Sequence, residues 1–139
     1  TLALGSCQVV APDTVYDQEM DVYAPCALGA TLNAETIPKL QCSIIAGGAN
    51  NQLKDEVSDV ERLQACGILY APDFLINSGG VINCYIEVIG EYNRDKAFEG
   101  CERIYGRTEE TLHYASTHGV STHDAALALA QERIDKAKS

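Results

Sequence analysis

In the stretch Ala71-Pro72-Asp73-Phe74-Leu75-Ile76-Asn77-Ser78-Gly79-Gly80-Val81-Ile82-Asn83-Cys84-Tyr85-Ile86-Glu87, a polar turn follows a short apolar strand, two glycines come next, and a long apolar helix begins. In open α/β sheets, ligands bind in the crevice outside the carboxyl ends of the strands. The unpaired N–H groups of a helix start attract polar or anionic ligands there. The stretch therefore predicts an α/β fold with a small-molecule site at this turn.

The segments before it support the same architecture. Gln8-Val9-Val10-Ala11 reads as a strand ended by Pro12, and Asp21-Val22-Tyr23-Ala24 as a second, ended by Pro25. Cys42-Ser43-Ile44-Ile45-Ala46 is apolar on both faces, as a buried parallel strand is. Ile68-Leu69-Tyr70 is the next strand. Between them, Asn33 is placed to cap a short helix that Pro38 keeps brief. Residues 55–66 carry a helical mix closed by Gly67. Strands alternating with helices through short connections predict a parallel sheet.

The remainder is helical. Apolar residues from Val81 recur at 84, 85, 88, 89 and 92, with Ile82 and Ile86 on the other side, so this helix is expected to be buried nearly all round. A second helix spans 95–117 and stops near Gly119. A third starts at Ser121 and Asp124, a pair resembling a capping box, and carries an apolar stripe at Leu127, Ala130 and Ile134.

Composition excludes several classes. The 139 residues carry a formal net charge of −10, which argues against a nucleic-acid or anionic-membrane surface. No apolar run approaches the ~20 residues that span a bilayer, and no signal-peptide pattern opens the chain. The six cysteines form no Cys-x-x-Cys pair and several stand in apolar company, so reduced thiols in a cytoplasmic protein's core are expected rather than disulfides or zinc. The five-residue spacings of His113, His118 and His123 turn them off a common helix face. No metal site is expected from them, only solvated polar positions. Asp13, Asp21 and Asp73 read as turn residues.

Two further loops belong with the diglycine. Gly47-Gly48-Ala49-Asn50-Asn51-Gln52 follows the third strand, and its asparagines offer both donors and acceptors to an uncharged amide or a substrate end. Pro25-Cys26-Ala27-Leu28-Gly29 follows the second strand. If the strands are parallel, all three loops lie at one sheet edge. The sequence contains neither a Gly-x-Gly-x-x-Gly turn nor a P-loop.

Three segments, Ala24 to Asn33, Ile45 to Asp55 and Tyr70 to Asn83, together resemble the glutamate/leucine/phenylalanine/valine dehydrogenase family, the leucine dehydrogenases above all. The resemblance runs over nearly the whole chain, including Tyr92-Asn93-Arg94. It implies NAD as cofactor and oxidative deamination of L-leucine or a similar branched-chain amino acid to its 2-oxo acid and ammonia. It implies a partial Rossmann-like domain, the later half, over residues 1–120, and a C-terminal helix over 121–139 that packs toward a separate N-terminal domain. Carried over motif by motif, Ala27, Leu28, Gly47, Asn50 and Asn51 fall at cofactor-binding positions. Asn51, Gly80, Val81 and Cys84 fall at substrate-binding ones. Cys84 stands where leucine enzymes have Val and keeps the pocket small. A methylene of shape discriminates by only ~1–3 kcal/mol.

The resemblance places the catalytic Lys and Asp in a part that this chain lacks. The chain alone is therefore expected to be inactive, the full-length protein a homo-oligomer, and the Leu127, Ala130 and Ile134 stripe exposed. The competing readings are a non-catalytic module binding a nucleotide or an amino acid, and an interaction piece that pairs with an intact subunit.

Overall fold

The structure is a computed structural model and describes residues 7–138; Thr1–Ser6 and Ser139, which the expected segments 1–120 and 121–139 include, lie outside the described residues. Three short strands, β1 (Val22–Tyr23), β2 (Ile44–Ile45) and β3 (Leu69–Tyr70), form a parallel sheet in that order. Val22 pairs with Ile44 and Ile44 with Leu69, while Tyr23, Ile45 and Tyr70 form the next row. The ladder continues past the strands, where Ala46 N donates to Tyr23 O and Ala71 N to Ile45 O. The expected parallel α/β architecture is the one observed.

Side chains alternate across a strand, so each strand shows one face to the core and one outward. Tyr23, Ile45 and Tyr70 are buried together with Leu32, Ile37, Leu53, Val60, Leu63 and Ile68. The helix α1 (Ser58–Ala65) and the 3₁₀ turn Ile37–Lys39 cover that face. The other row is open: Val22, Ile44 and Leu69 are 45%, 36% and 41% exposed. The central strand was expected to be buried on both faces, and only one face is covered among the described residues.

Local signals place the element ends. Asn33 Oδ1 accepts from the Glu35 and Thr36 amides at 2.9 and 3.2 Å and heads the Ile37–Lys39 turn, with Pro38 in its first turn. Asp55 Oδ1 accepts from the Ser58 amide at 2.7 Å and from the Val57 amide at 3.2 Å. The Ser58 amide foremost holds the Asp55 carboxyl below its ordinary range. Gly67 and Gly119 end α1 and the later helix Arg94–His118 with φ of +68° and +66°, the left-handed region that glycine adopts at least cost.

Gln8–Ala11 does not form the expected strand, and Val9 is 83% exposed. A strand needs a neighbour for its backbone groups, and Ala11 instead accepts from Thr14 in a turn. After β3 the expected polar turn is a short helix, α2 (Asp73–Ile76), started by Pro72. It is followed by α3 (Gly79–Val88), α4 (Arg94–His118) and α5 (Thr122–Lys138).

The expectation that α3 is buried all round is wrong: none of its residues is buried. Its packing partner is α4, where Ile82 fills the space that a side chain at Gly100 would need. The cysteines also differ from expectation. Cys26, Cys66 and Cys84 are exposed thiols, and Cys42 and Cys101 are half-buried. Apolar neighbours in sequence did not bury them because they lie on loops, on a helix end and on the open side of α3.

The helix α5 packs on α4 and reaches β3, where Thr122 Oγ1 donates to Tyr70 O. Ser121 Oγ donates to Asp124 Oδ2 at 2.6 Å and accepts from the Asp124 amide at 3.0 Å, the reciprocal cap read from the sequence. Leu127, Ala130 and Ile134 are exposed as expected. His123 is not: it is buried, and its ring meets Phe74. No helix of the described residues is long and apolar enough to cross a membrane.

Candidate functional site

Parallel strands bring the loops after β1, β2 and β3 to one edge of the sheet. The first two interlock. Ala49 N donates to Pro25 O at 2.9 Å, Gly48 N to Cys26 Sγ at 3.3 Å, and Ala30 N to Asn51 O at 2.7 Å. Gly47 lies under Pro25, and a Cβ there would come within 2.2 Å of Pro25 O. Gly29 faces the Asn50 and Asn51 carbonyls, where a Cβ would come within 2.8 and 2.9 Å of their oxygens. Both Ala30 and Asn51 adopt positive φ, at 56° and 51°, so these turns are held by their bonds.

Gln52 braces the second loop from inside. Its side chain is fully buried, and Nε2 donates to Gly47 O at 2.7 Å and Ala49 O at 3.0 Å. The third loop is then tied to the second, since Asn77 Nδ2 donates to Asn50 Oδ1 at 2.6 Å and to Gly48 O at 3.4 Å.

Between the second and third loops is a cleft of about 490 Å³, lined by Asn50, Asn51, Asp73, Phe74, Asn77, Ser78, Gly80 and Val81. The two glycines divide their roles. A Cβ on Gly79 would meet Cys101 Sγ of α4 at 3.5 Å, whereas one on Gly80 would meet nothing within 4 Å. Gly80 thus keeps open space at the helix start, where backbone N–H groups face outward.

Three of the cleft's eight lining residues are asparagines, beside an aromatic ring and a valine. Its one ionisable group is Asp73, which is buried and whose Oδ1 accepts from the Tyr70 hydroxyl at 3.0 Å. Burial, followed by the Asp73 charge, pushes the Tyr70 hydroxyl well above its usual range. This lining suits an uncharged amide beside a short apolar group.

Of the residues singled out from sequence, Asn50, Asn51, Gly80 and Val81 meet in the cleft. Gly47 is buried beneath it. Ala27 and Leu28 are exposed on the neighbouring loop, Leu28 by 75%. Cys84 is exposed about one helical turn beyond Val81 and outside the lining. Asn77 and Ser78, in the turn where a site is expected from sequence, also line the cleft, and Asp73 and Phe74 complete it without having been assigned to it. Phe74, Asn77, Ser78 and Val81 stand at i, i+3, i+4 and i+7, the helical spacing that would have revealed them. Among the described residues no cluster of three or more His, Cys, Asp or Glu is placed to hold a metal ion.

The cleft and the diglycine helix start lie outside the carboxyl ends of the parallel strands, where open α/β sheets bind ligands. The family model for Glutamate/Leucine/Phenylalanine/Valine dehydrogenase matches residues 3–139, and the chain belongs to that family. It is 49% identical over 135 residues to an L-tryptophan dehydrogenase of Nostoc punctiforme, covering 97% of this chain and 38% of that protein. It is 47% identical to the leucine dehydrogenase of Bacillus subtilis (strain 168), covering 93% of this chain and 35% of that protein. The crystal structure of the Nostoc punctiforme L-tryptophan dehydrogenase superposes with a TM-score of 0.92 at 48% identity, over 96% of this chain and 40% of that one. A hetero-hexameric glutamate dehydrogenase from Thermus thermophilus, in its Leu-bound form, matches with a TM-score of 0.73 at 27% identity, over 98% of this chain and 34% of that one. The chain thus spans little more than a third of the length of these relatives.

Proposed function

We propose that this chain supplies the nicotinamide-facing and substrate-facing wall of an NAD-dependent L-amino acid dehydrogenase. The reaction would be oxidative deamination of L-leucine or a similar amino acid to the 2-oxo acid and ammonia. The carrying observation is the cleft itself, with amides at Asn50, Asn51 and Asn77 beside the open Gly80. That relatives are tryptophan and leucine dehydrogenases supports a substrate with an apolar side chain, aliphatic or aromatic.

The residues present fit one end of the cofactor. A carboxamide needs a donor and an acceptor in one plane, and asparagine side chains provide both. Asn50 spends an acceptor site on Asn77 and keeps its NH₂ group for a ligand. Leu28 is exposed on the adjoining loop, in keeping with a place beside the ribose, and Gly47 fixes that loop from below. When bound, NAD would supply the hydride acceptor. This chain's residues would hold its ring, admit the substrate's side chain past Gly80 and Val81, and orient the two. The dinucleotide's phosphates would be held by a glycine-rich turn, a motif outside this sequence.

In this reading residues 1–120 form the later part of the nucleotide-binding domain, and 121–139 the helix that meets the rest of the enzyme. The exposed Leu127, Ala130 and Ile134 are the surface for that contact, within a homo-oligomer. The test is a titration of the 139-residue chain with NAD, with and without L-leucine or L-tryptophan, following the side-chain amide NMR signals of Asn50, Asn51 and Asn77. Shifts confined to these amides support the assignment, and their absence at millimolar NAD overturns it. A parallel assay for NADH should find no turnover by the chain alone, and steady NADH formation would refute the claim that the acid–base machinery lies elsewhere.

A further inference from the structure

We propose that His123 is a positioning residue of the cleft: its ring, carried in on α5, sets the orientation of Phe74. Phe74 lines the cleft from α2, a helix of only four residues, and is 43% exposed. So short an element offers an aromatic side chain little packing of its own. The helix α2 itself packs against α4, and the ring that meets Phe74 is that of His123. The two ring centroids lie 5.5 Å apart with planes at 83°, the edge-to-face geometry in which aromatic rings attract.

His123 is itself held still. It is 6% exposed, it follows Thr122, whose hydroxyl is bonded to Tyr70 O of β3, and it sits inside the Ser121–Asp124 cap. Its Nε2 lies 4.0 Å from Glu56 Oε2, on the approach to α1. Its Nδ1 is buried without a hydrogen-bond partner among the described groups. An unpaired buried nitrogen costs stability, so such an atom in a fold calls for an explanation. A purely apolar ring would serve the core as well. Placed where it is, the ring links α5 to the wall of the cleft. The seating of the C-terminal helix is thereby transmitted to the ligand through a single aromatic contact.

The chain has two phenylalanines, Phe74 and Phe98, which makes the test simple. Phe98 is in α4, with the Arg94 guanidinium 5.2 Å from its ring, and serves as an internal reference. The 139-residue chain is labelled at phenylalanine rings, and ring order is measured by NMR relaxation in the wild type, His123→Ala and His123→Phe. His123→Ala should loosen the Phe74 ring and leave Phe98 unchanged, and His123→Phe should restore the order. An unchanged Phe74 ring in His123→Ala overturns the proposal. So does loosening of both rings together, which would mark a merely structural residue. The second arm titrates each variant with NAD plus L-leucine and rests on the function proposed above. There, His123→Ala should bind about two- to tenfold more weakly, the factor that an edge-on aromatic pair is worth, with His123→Phe close to wild type. If the wild type binds neither probe, the functional reading fails, and the positioning role is decided by ring order alone.

Discussion

Asn77 Nδ2 donates to Asn50 Oδ1 across 2.6 Å, joining the loop that leaves β2 to the helix start that follows β3. The two residues are 27 positions apart in sequence and face each other only because the strands run parallel. Both residues line the cleft, so the bond ties its two sides together. Asn77→Ala is expected to change stability by no more than ~1 kcal/mol, the usual net worth of a hydrogen bond between groups open to water. Affinity for NAD with an amino acid should fall by a larger factor than the stability change accounts for. Thermal denaturation beside an equilibrium titration checks both.

Gln52 acts from below the same loop. Gln52→Leu leaves the Gly47 and Ala49 carbonyls without their side-chain donor in a buried setting. A cost of ~2 kcal/mol or more is expected, since unsatisfied buried polar groups cost ~1–3 kcal/mol each. The midpoint of urea unfolding reports it.

Two glycines in the same crevice should respond in opposite ways. Gly47→Ala forces a Cβ to within 2.2 Å of the Pro25 carbonyl oxygen, a backbone atom that cannot swing aside. Overpacking of this kind costs ~1–3 kcal/mol or more. Gly80→Ala meets nothing within 4 Å and lies in the first turn of α3. It should keep or slightly raise the melting temperature, since alanine favours helix by up to ~1 kcal/mol over glycine, and it should weaken ligand binding by filling the cleft. Melting curves and titrations on the pair separate packing from recognition.

Alkali should unfold the chain through its core tyrosines. Burial, then the neighbouring Tyr16, pushes the Tyr23 hydroxyl from 10.0 up to about 12. A folded-state value above the unfolded one means that the stabilisation is complete below pH ~10 and is lost as pH rises toward about 12. Tyr70 is shifted in the same direction. Urea midpoints measured from pH 8 upward should fall across that window in the wild type, and less steeply in Tyr23→Phe.

The exposed stripe on α5 can be tested separately. Leu127 and Ile134 are about half exposed, so Leu127→Glu with Ile134→Glu should leave stability within ~0.5 kcal/mol. If the stripe meets another part of the enzyme or a second copy, the double variant should lower self-association in sedimentation experiments over a concentration series.

Short-range chemistry was the most legible part of this chain. Gly67, Gly119, Pro38 and the Ser121–Asp124 pair each act on backbone groups a few residues away, and each is found in the role read for it, whereas Asn33 holds the Glu35 and Thr36 amides just ahead of a turn whose N-cap is Thr36. The parallel sheet was legible too, because its strands alternate with helices. What periodicity cannot report is whether a covering surface exists. It marked α3 as apolar, yet Val81, Tyr85 and Val88 are 67%, 60% and 83% exposed. The same gap explains Gln8–Ala11, which has the composition of a strand but no neighbour to pair with, and His123, whose burial depends on Phe74, 49 positions away in sequence. Half of the cleft was legible through Asn50, Asn51, Gly80 and Val81. Asp73 and Phe74 were hidden because a proline-led turn and a proline-led helix begin with the same residues.

The open row of Val22, Ile44 and Leu69 has a calorimetric consequence. The heat-capacity step of unfolding grows with the apolar area that unfolding newly wets, by about 0.45 cal/K/mol per Å². Side chains already facing water contribute little to it. Scanning calorimetry of the 139-residue chain should show a smaller step per residue than the ~12–15 cal/mol/K of ordinary domains, and so a flatter curve of stability against temperature. Any molecule that covers that row should steepen the curve, which makes heat capacity a gauge of whether the sheet has found its second layer.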